Sequence, residues 1–142
     1  KPNDPYYNEL KAQFLLENGN ANEALKYYKR ALELEPNKVL LNIGYARALN
    51  SIGEYKSSVN LLKNVYVKDP NNGRLLRELA IAYSQIGETG WASLLTAERY
   101  ALYGKFKDAM HHAKRTLGTS SPGSIEWLKA EDLILDIKNM GK

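Results

Sequence analysis

The sequence predicts an all-α chain, an α-solenoid of stacked helical hairpins finished by a C-terminal capping helix. Three observations carry this. Gly19, Gly53 and Gly87 stand 34 residues apart, and Gly104 follows after half that interval, 17. Small residues keep the same beat, as Ala12, Ala46, Ala80 and Ala97 in one set of helices and Ala24, Ser58, Ala92 and Ala109 in the other. The stretch ETGWASLLTAERYALYG, residues 88–104, belongs to two phases at once. It is the second helix of a hairpin begun by RLLRELAIAYSQIG and the first helix of a hairpin completed by KFKDAMHHAKRTL. One helix serving two hairpins implies a continuous stack.

In chain order, helices are expected at about 6–18, 21–35, 38–52, 55–68, 73–86, 88–103, 105–117 and 124–139. Each periodic glycine sits where a helix must stop and reverse, which favours the left-handed conformation that glycine adopts without strain. The small residues let paired helices approach, and Leu15, Leu49, Tyr83 and Tyr100 follow as larger fillers. Pro36 and Pro70 close the first two hairpins, and Gly104 takes the third such place. After Leu117 the turn-rich GTSSPGS precedes a last helix, for which Ser124 is the expected N-cap. Its stripe of Trp127, Ala130, Ile134 and Ile137 suits a helix that covers the open end of a stack, or else a docking face for another domain. Helices this short are marginal alone, so stacking must stabilise them.

Composition excludes several classes. With 142 residues, 44% hydrophobic and 25% charged, the chain fits one ordered domain with a real core. No run approaches the roughly 18 apolar residues of a membrane span. The lack of cysteine rules out disulfides and thiolate metal sites without choosing a compartment. The net charge of +4 is shared evenly between the two halves, with no basic block suited to nucleic acid. The chain opens with KPNDP rather than methionine, as expected of an excised fragment or processed product.

No catalytic constellation is visible. His111 and His112 are adjacent, about 100° apart on a helix, and cannot share a metal as an i,i+4 pair does. There is no HExxH, no nucleophile elbow and no phosphate-binding glycine loop. The chain is therefore expected to be no enzyme, with no cofactor or metal of its own. Tyr6, Tyr7, Tyr27, Tyr28, Tyr45 and Tyr83 follow helical spacing and are expected in core or half-buried packing rather than on a base-stacking platform.

The 34-residue beat and its residue pattern resemble the tetratricopeptide repeat over residues 5–118, which implies a right-handed solenoid. Repeats fall at about 5–38, 39–72 and 73–104, with a partial repeat at 90–121 that shares helix 88–103, all in one domain spanning 1–142. The opening tryptophan of the pattern is replaced by Asn8, Asn42 and Leu76, and the third repeat has Thr96 where a second-helix aromatic is usual. Projecting the repeat's concave face onto this chain gives Gln13, Leu16 and Glu17, then Ile43, Arg47 and Asn50, then Arg74, Arg77, Ile81 and Gln85, and finally Leu94 and Glu98 of the shared helix. Arginines beside aliphatic residues suit a peptide with some negative charge. The clamp by which some such domains grip chaperone C-termini is not present. Glu9 and Gln13 occupy its first-repeat places, Gly44 its second-repeat place, and Glu78 stands against Arg74.

Two longer strings resemble something narrower. DPYYNELKAQFLLENGNANEAL, and RELAIAYSQIGETGWASLLTAERYALYGKFKDAMHHAKR with SPGSIEWLKAEDL after it, are similar to the C-terminal repeat region of bacterial HExxH zinc metallopeptidases of the β-barrel assembly-enhancing kind. The resemblance spans residues 3–136. It implies a non-catalytic interaction arm in the periplasm, with the zinc and its protease domain upstream. Expected partners are outer-membrane assembly machinery, unfolded substrate or the arm's own protease domain. The alternative is a stand-alone adaptor or co-chaperone, in which case a cytoplasmic address is equally open.

Overall fold

A computed structural model describes residues 3–141, which contain eight α-helices and no strand. They are α1 (Pro5–Glu17), α2 (Ala21–Leu34), α3 (Val39–Ser51), α4 (Tyr55–Lys68), α5 (Gly73–Gln85), α6 (Thr89–Leu102), α7 (Phe106–Thr119) and α8 (Ile125–Met140). All eight lie where the sequence places them, to within two residues at each end.

The helix stops follow one recipe four times. Gly19, Gly53, Gly87 and Gly104 have φ of +79°, +82°, +85° and +77°. At the first, the Gly19 and Asn20 amides donate to the Leu16 and Leu15 carbonyls at 3.2 and 2.8 Å. The same pair of bonds recurs at the other three, so each stop is a Schellman turn that satisfies carbonyls otherwise left open at a helix end. Starts are more varied. Asp4 Oδ1 accepts from the Tyr6 amide at 3.0 Å ahead of Pro5, and Asn72 Oδ1 accepts from the Arg74 and Leu75 amides. Ser124 is the N-cap residue of α8, but contrary to expectation its hydroxyl makes no capping bond and is buried without a hydrogen-bond partner among the described residues.

The chain divides into two compact units, Lys1–Lys68 and Asp69–Lys142. In the first, α1 packs on α2 and α3, and α3 also packs on α2 and α4. Its core holds Ala12, Ala24, Tyr28, Ala31, Leu41 and Ala48, with Leu15, Leu16, Tyr27 and Tyr45 packed against them. Close approach is tightest at Gly44, where an added Cβ would lie 2.6 Å from the ring of buried Tyr28. Asn8 and Asn42, where the repeat pattern has tryptophan, are buried and turn back to donate to the Asp4 carbonyl (2.9 Å) and the Lys38 carbonyl (2.9 Å) at their own helix starts. Burying those amides is possible because they are bonded locally. Tyr6 and Tyr7 depart from the expected core packing. They are 63% and 43% exposed, because α1 is covered only on the side that faces α2 and α3.

In the second unit α6 is the common element, packed on α5, α7 and α8. Leu94 and Ala97 of α6, Ala113 of α7, and Ala130 and Ile134 of α8 form one cluster, flanked by Trp91, Met110, Leu117 and Leu133. The expected α8 stripe does face this core, with Ala130 and Ile134 buried and Trp127 and Ile137 half-buried. The start of α6 lies close to the end of α7. Thr116 Oγ1 donates to the Gly90 carbonyl at 3.1 Å, and a Cβ at Gly90 would collide with Ser120 Oγ.

Three outcomes follow from this packing. Gly90→Ala should cost about 1–3 kcal/mol in urea unfolding, since the new methyl must push Ser120 aside in a close-packed contact. Ser58, fully buried with no hydrogen-bond partner among the described residues, holds a place that Ala24 and Ala109 fill without a hydroxyl, so Ser58→Ala should raise stability by about 1 kcal/mol. The Tyr28 phenol is pushed up to about 12 by burial, with Glu9 and Glu17 adding to the shift and Arg47 opposing it. A phenol whose pKa is raised on folding contributes stability that is complete below pH 10 and lost as pH rises from 10 to 12. Thermal melts across that window should fall less steeply in Tyr28→Phe than in the parent.

Candidate functional site

Position 24 of each repeat decides where an opening forms. Tyr28 and Leu62 fill it in the first two repeats, and both are buried. Thr96, 34 residues beyond Leu62, fills it in the third, and its hydroxyl donates back to the Ala92 carbonyl at 2.8 Å. Threonine supplies too little volume to close the space above it. Two contiguous pockets of about 380 and 330 Å³ meet over Thr96, Ala80 and Ile81. Together they make a groove inside the second unit, with α6 as its floor. Ile81, Ser84 and Gln85 of α5 form one wall, and His112 and Arg115 of α7 form the other. At the far end stand Arg77, Arg99, Tyr100, Tyr103 and Lys105.

The floor is a single helical face. Thr96, Arg99, Tyr100 and Tyr103 follow i, i+3, i+4, i+7 spacing, and Ala92 and Ser93 continue it toward the start of α6. Arg99 is held from two sides. Its Nε donates to the Gly73 carbonyl at 3.2 Å, and its guanidinium lies 5.3 Å from the centre of the Tyr103 ring. Arg77 Nη1 donates to Glu78 Oε2 at 3.2 Å, and Glu78 is itself buried. Tyr100 stacks on His112, with centroids 5.4 Å apart and planes inclined at 13°. His112 meets His111 edge-on. Burial, helped by His111 and Arg115 and opposed by Asp108, holds the His112 imidazole below its ordinary range, which favours the neutral ring at neutral pH. The fixed charges on the lining are thus Arg99, Lys105 and Arg115, with Arg77 offset by its Glu78 partner, and no carboxylate is among the lining residues themselves. Such a surface attracts anions and offers aromatic and aliphatic contact beside them.

The residues projected from the sequence distribute unevenly. Arg77, Ile81 and Gln85 line the groove as expected. Arg74 is exposed on the first turn of α5, outside the lining. Leu94 is fully buried, so it is not a groove residue. It lies about 180° around α6 from Thr96, on the face that α8 covers through Ala130 and Ile134. Glu98, half-buried, shares that face rather than the floor. In the first unit Gln13, Glu17 and Arg47 are exposed, whereas Ile43 and Asn50 are buried because α3 is packed by α1, α2 and α4, and Leu16 packs on the core. Glu78 pairs with Arg77, where the sequence set it against Arg74, and Glu9 pairs with Lys38 at 3.2 Å. Arg99, Tyr100, Tyr103, Lys105, His112 and Arg115 are absent from the concave projection. For Arg99, Tyr100 and Tyr103 the signal is the helical spacing that leads from Thr96, whereas Lys105, His112 and Arg115 belong to the start and body of α7 and only its packing on α6 brings them in. A separate pocket of the first unit, about 450 Å³ beside Lys26, Lys29 and Arg30, also includes Glu33, and Lys26 is tied to Glu23 at 2.9 Å, so its charge is mixed.

Residues 15–65, within the first unit, match the family model of the tetratricopeptide repeat. No curated protein matches the chain in sequence. Among solved structures, MamA from Desulfovibrio magneticus RS-1 (a chain from residue 41 to its end) is similar with a TM-score of 0.69 at 18% identity, covering 98% of this chain and 76% of that one. TTC0263, a thermophilic tetratricopeptide-repeat protein of Thermus thermophilus, is similar with a TM-score of 0.58 at 16% identity, covering 97% and 84%. Repeats of this kind generally serve as non-catalytic scaffolds for protein–protein contact. Throughout its described residues the chain shares the all-α fold of these solved structures, and residues 15–65 match the tetratricopeptide repeat.

Proposed function

We propose that this chain is a protein-interaction module that holds a segment of a partner protein in the groove between α5, α6 and α7. The observation that carries the reading is the groove's lining, in which four cationic side chains stand over an aliphatic and aromatic floor with no carboxylate among them. Both walls are helices packed against α6, so the side chains are presented on a rigid frame. Affinity is then not spent on ordering loops.

We propose further that the module is the repeat arm of a bacterial zinc metallopeptidase. Support comes from the strings that resemble such an arm, residues 4–25 and residues 77–115 with 121–133 after them. On this reading the catalytic zinc belongs to an upstream domain and the arm holds no cofactor. Its setting is the periplasm, and its partners are outer-membrane assembly machinery or its own protease domain.

Two experiments separate these statements. Arg77→Glu combined with Arg115→Glu should weaken capture of a purified partner at least tenfold while circular dichroism and the melting temperature stay unchanged. Undiminished capture would move the contact elsewhere, with Gln13 and Arg47 of the first unit as the next residues to exchange. For the parentage, the native protein should be immunoprecipitated from its source, its mass and compartment recorded, and its zinc assayed. A periplasmic species far larger than 16.0 kDa that carries zinc supports the peptidase arm. A small, zinc-free cytoplasmic one replaces it with a stand-alone adaptor.

A further inference from the structure

The groove has a shape as well as a charge, and the shape is that of a missing side chain. In the first repeat, position 24 is a tyrosine ring that packs over Gly44 and is only 3% exposed. In the second it is Leu62, fully buried. In the third the ring is absent, Thr96 has turned its hydroxyl onto its own helix, and the pocket of about 380 Å³ opens above it. Filling such a space recovers the contacts that the lining atoms otherwise lack. Around the mouth, Arg99 is already oriented by the Gly73 carbonyl and the Tyr103 ring, and Arg77, Lys105 and Arg115 complete a cationic rim.

We infer that the pocket over Thr96 receives one aromatic side chain from an extended, acidic peptide segment, whose carboxylates on either side of the anchor meet Arg77, Arg99, Lys105 and Arg115. This rests on the reading of the groove as a partner-binding surface and names the chemistry of the partner. An aromatic anchor contributes a large apolar area with few rotatable bonds, and Tyr100 and Tyr103 offer ring edges and faces to it. Carboxylates supply charge-assisted bonds to the Arg99 guanidinium, held in advance, and to Lys105 and Arg115, and the Glu78 carboxylate is already paired with Arg77 and buried. The combination explains why both features occur together. A cationic rim alone would select any anion, and an apolar pocket alone would select any exposed ring.

The test uses the whole chain and fluorescein-labelled peptides, read by anisotropy. One peptide has a central Phe flanked on each side by two Asp or Glu residues. A second replaces Phe with Ala, and a third keeps Phe but replaces each acid with Asn or Gln. The first should bind at least tenfold more tightly than either of the others, and added salt should weaken it. Thr96→Tyr, which restores the ring found at Tyr28, should abolish binding, and Thr96→Leu, which copies Leu62, should weaken it at least tenfold. Because a substituted chain can lose binding by misfolding, the parent labelled with ¹³C on its threonine methyl groups gives an independent reading, in which the Thr96 resonance should shift most on addition of the acidic Phe peptide. Equal binding of the Phe and Ala peptides, or of the acidic and amide peptides, overturns the inference. So does a largest shift at a threonine other than Thr96. Tighter binding of a single-stranded oligonucleotide than of the acidic Phe peptide would overturn it in favour of nucleic acid. If all three peptides fail while Arg77→Glu with Arg115→Glu still loses a purified partner, the inference falls and the interaction module stands. If that double variant also binds its partner normally, both fall.

Discussion

A single helix must present two faces to be the second member of one hairpin and the first of the next, and the second unit depends on how α6 resolves this. Its Leu94 and Ala97 face is closed by α7 and α8. The Thr96, Arg99 and Tyr100 face, nearly opposite, is only walled by α5 and α7 and remains open at the top. The two faces are coupled through composition. Alanine at 97, 113 and 130 brings three helices close on one side, where fully burying a leucine such as Leu94 contributes about 2 kcal/mol. On the other side the floor is short and polar at Thr96, which leaves room instead of density.

That room has chemical character because the neighbours are constrained. Arg99 reaches the Gly73 carbonyl at the start of α5, where the absence of a side chain on the glycine leaves space for Tyr103 beside the guanidinium. Tyr100 and His112 hold one another by stacking, and burial favours the neutral form of the imidazole. The charge of the groove therefore comes from arginine and lysine, whose protonation does not change across physiological pH. A surface built this way keeps its sign in any compartment.

Much of this was legible in the residues. The glycines at 19, 53, 87 and 104 mark their helix ends because a left-handed stop excludes most side chains, and all four carry the positive φ that their spacing implied. Ala12, Ala24, Ala46, Ala97 and Ala109 are buried to nothing, as a small-residue period at helix crossings requires. Ala80 and Ala92 broke the pattern by remaining half-buried, and both line the groove. The site was less legible. Three of its residues, Arg77, Ile81 and Gln85, came from the concave projection, while Leu94, Ile43 and Asn50 from the same projection are buried. A repeat template assumes that each first helix is open on one side, and neither α3 nor α6 is open at those positions.

The sequence by itself determined the helices, their order, their stops and the double membership of residues 88–104, because these rest on local rules of periodicity and backbone sterics. It also contained the one departure that matters, threonine for a ring at position 96. Only the tertiary structure decided which face of α6 would stay open. That choice depends on where α8 docks, and Ala130 and Ile134 could have covered either side as far as their own spacing shows. Docking α8 against Leu94 and Ala97 takes that apolar face out of water, and the polar, cationic face is left open.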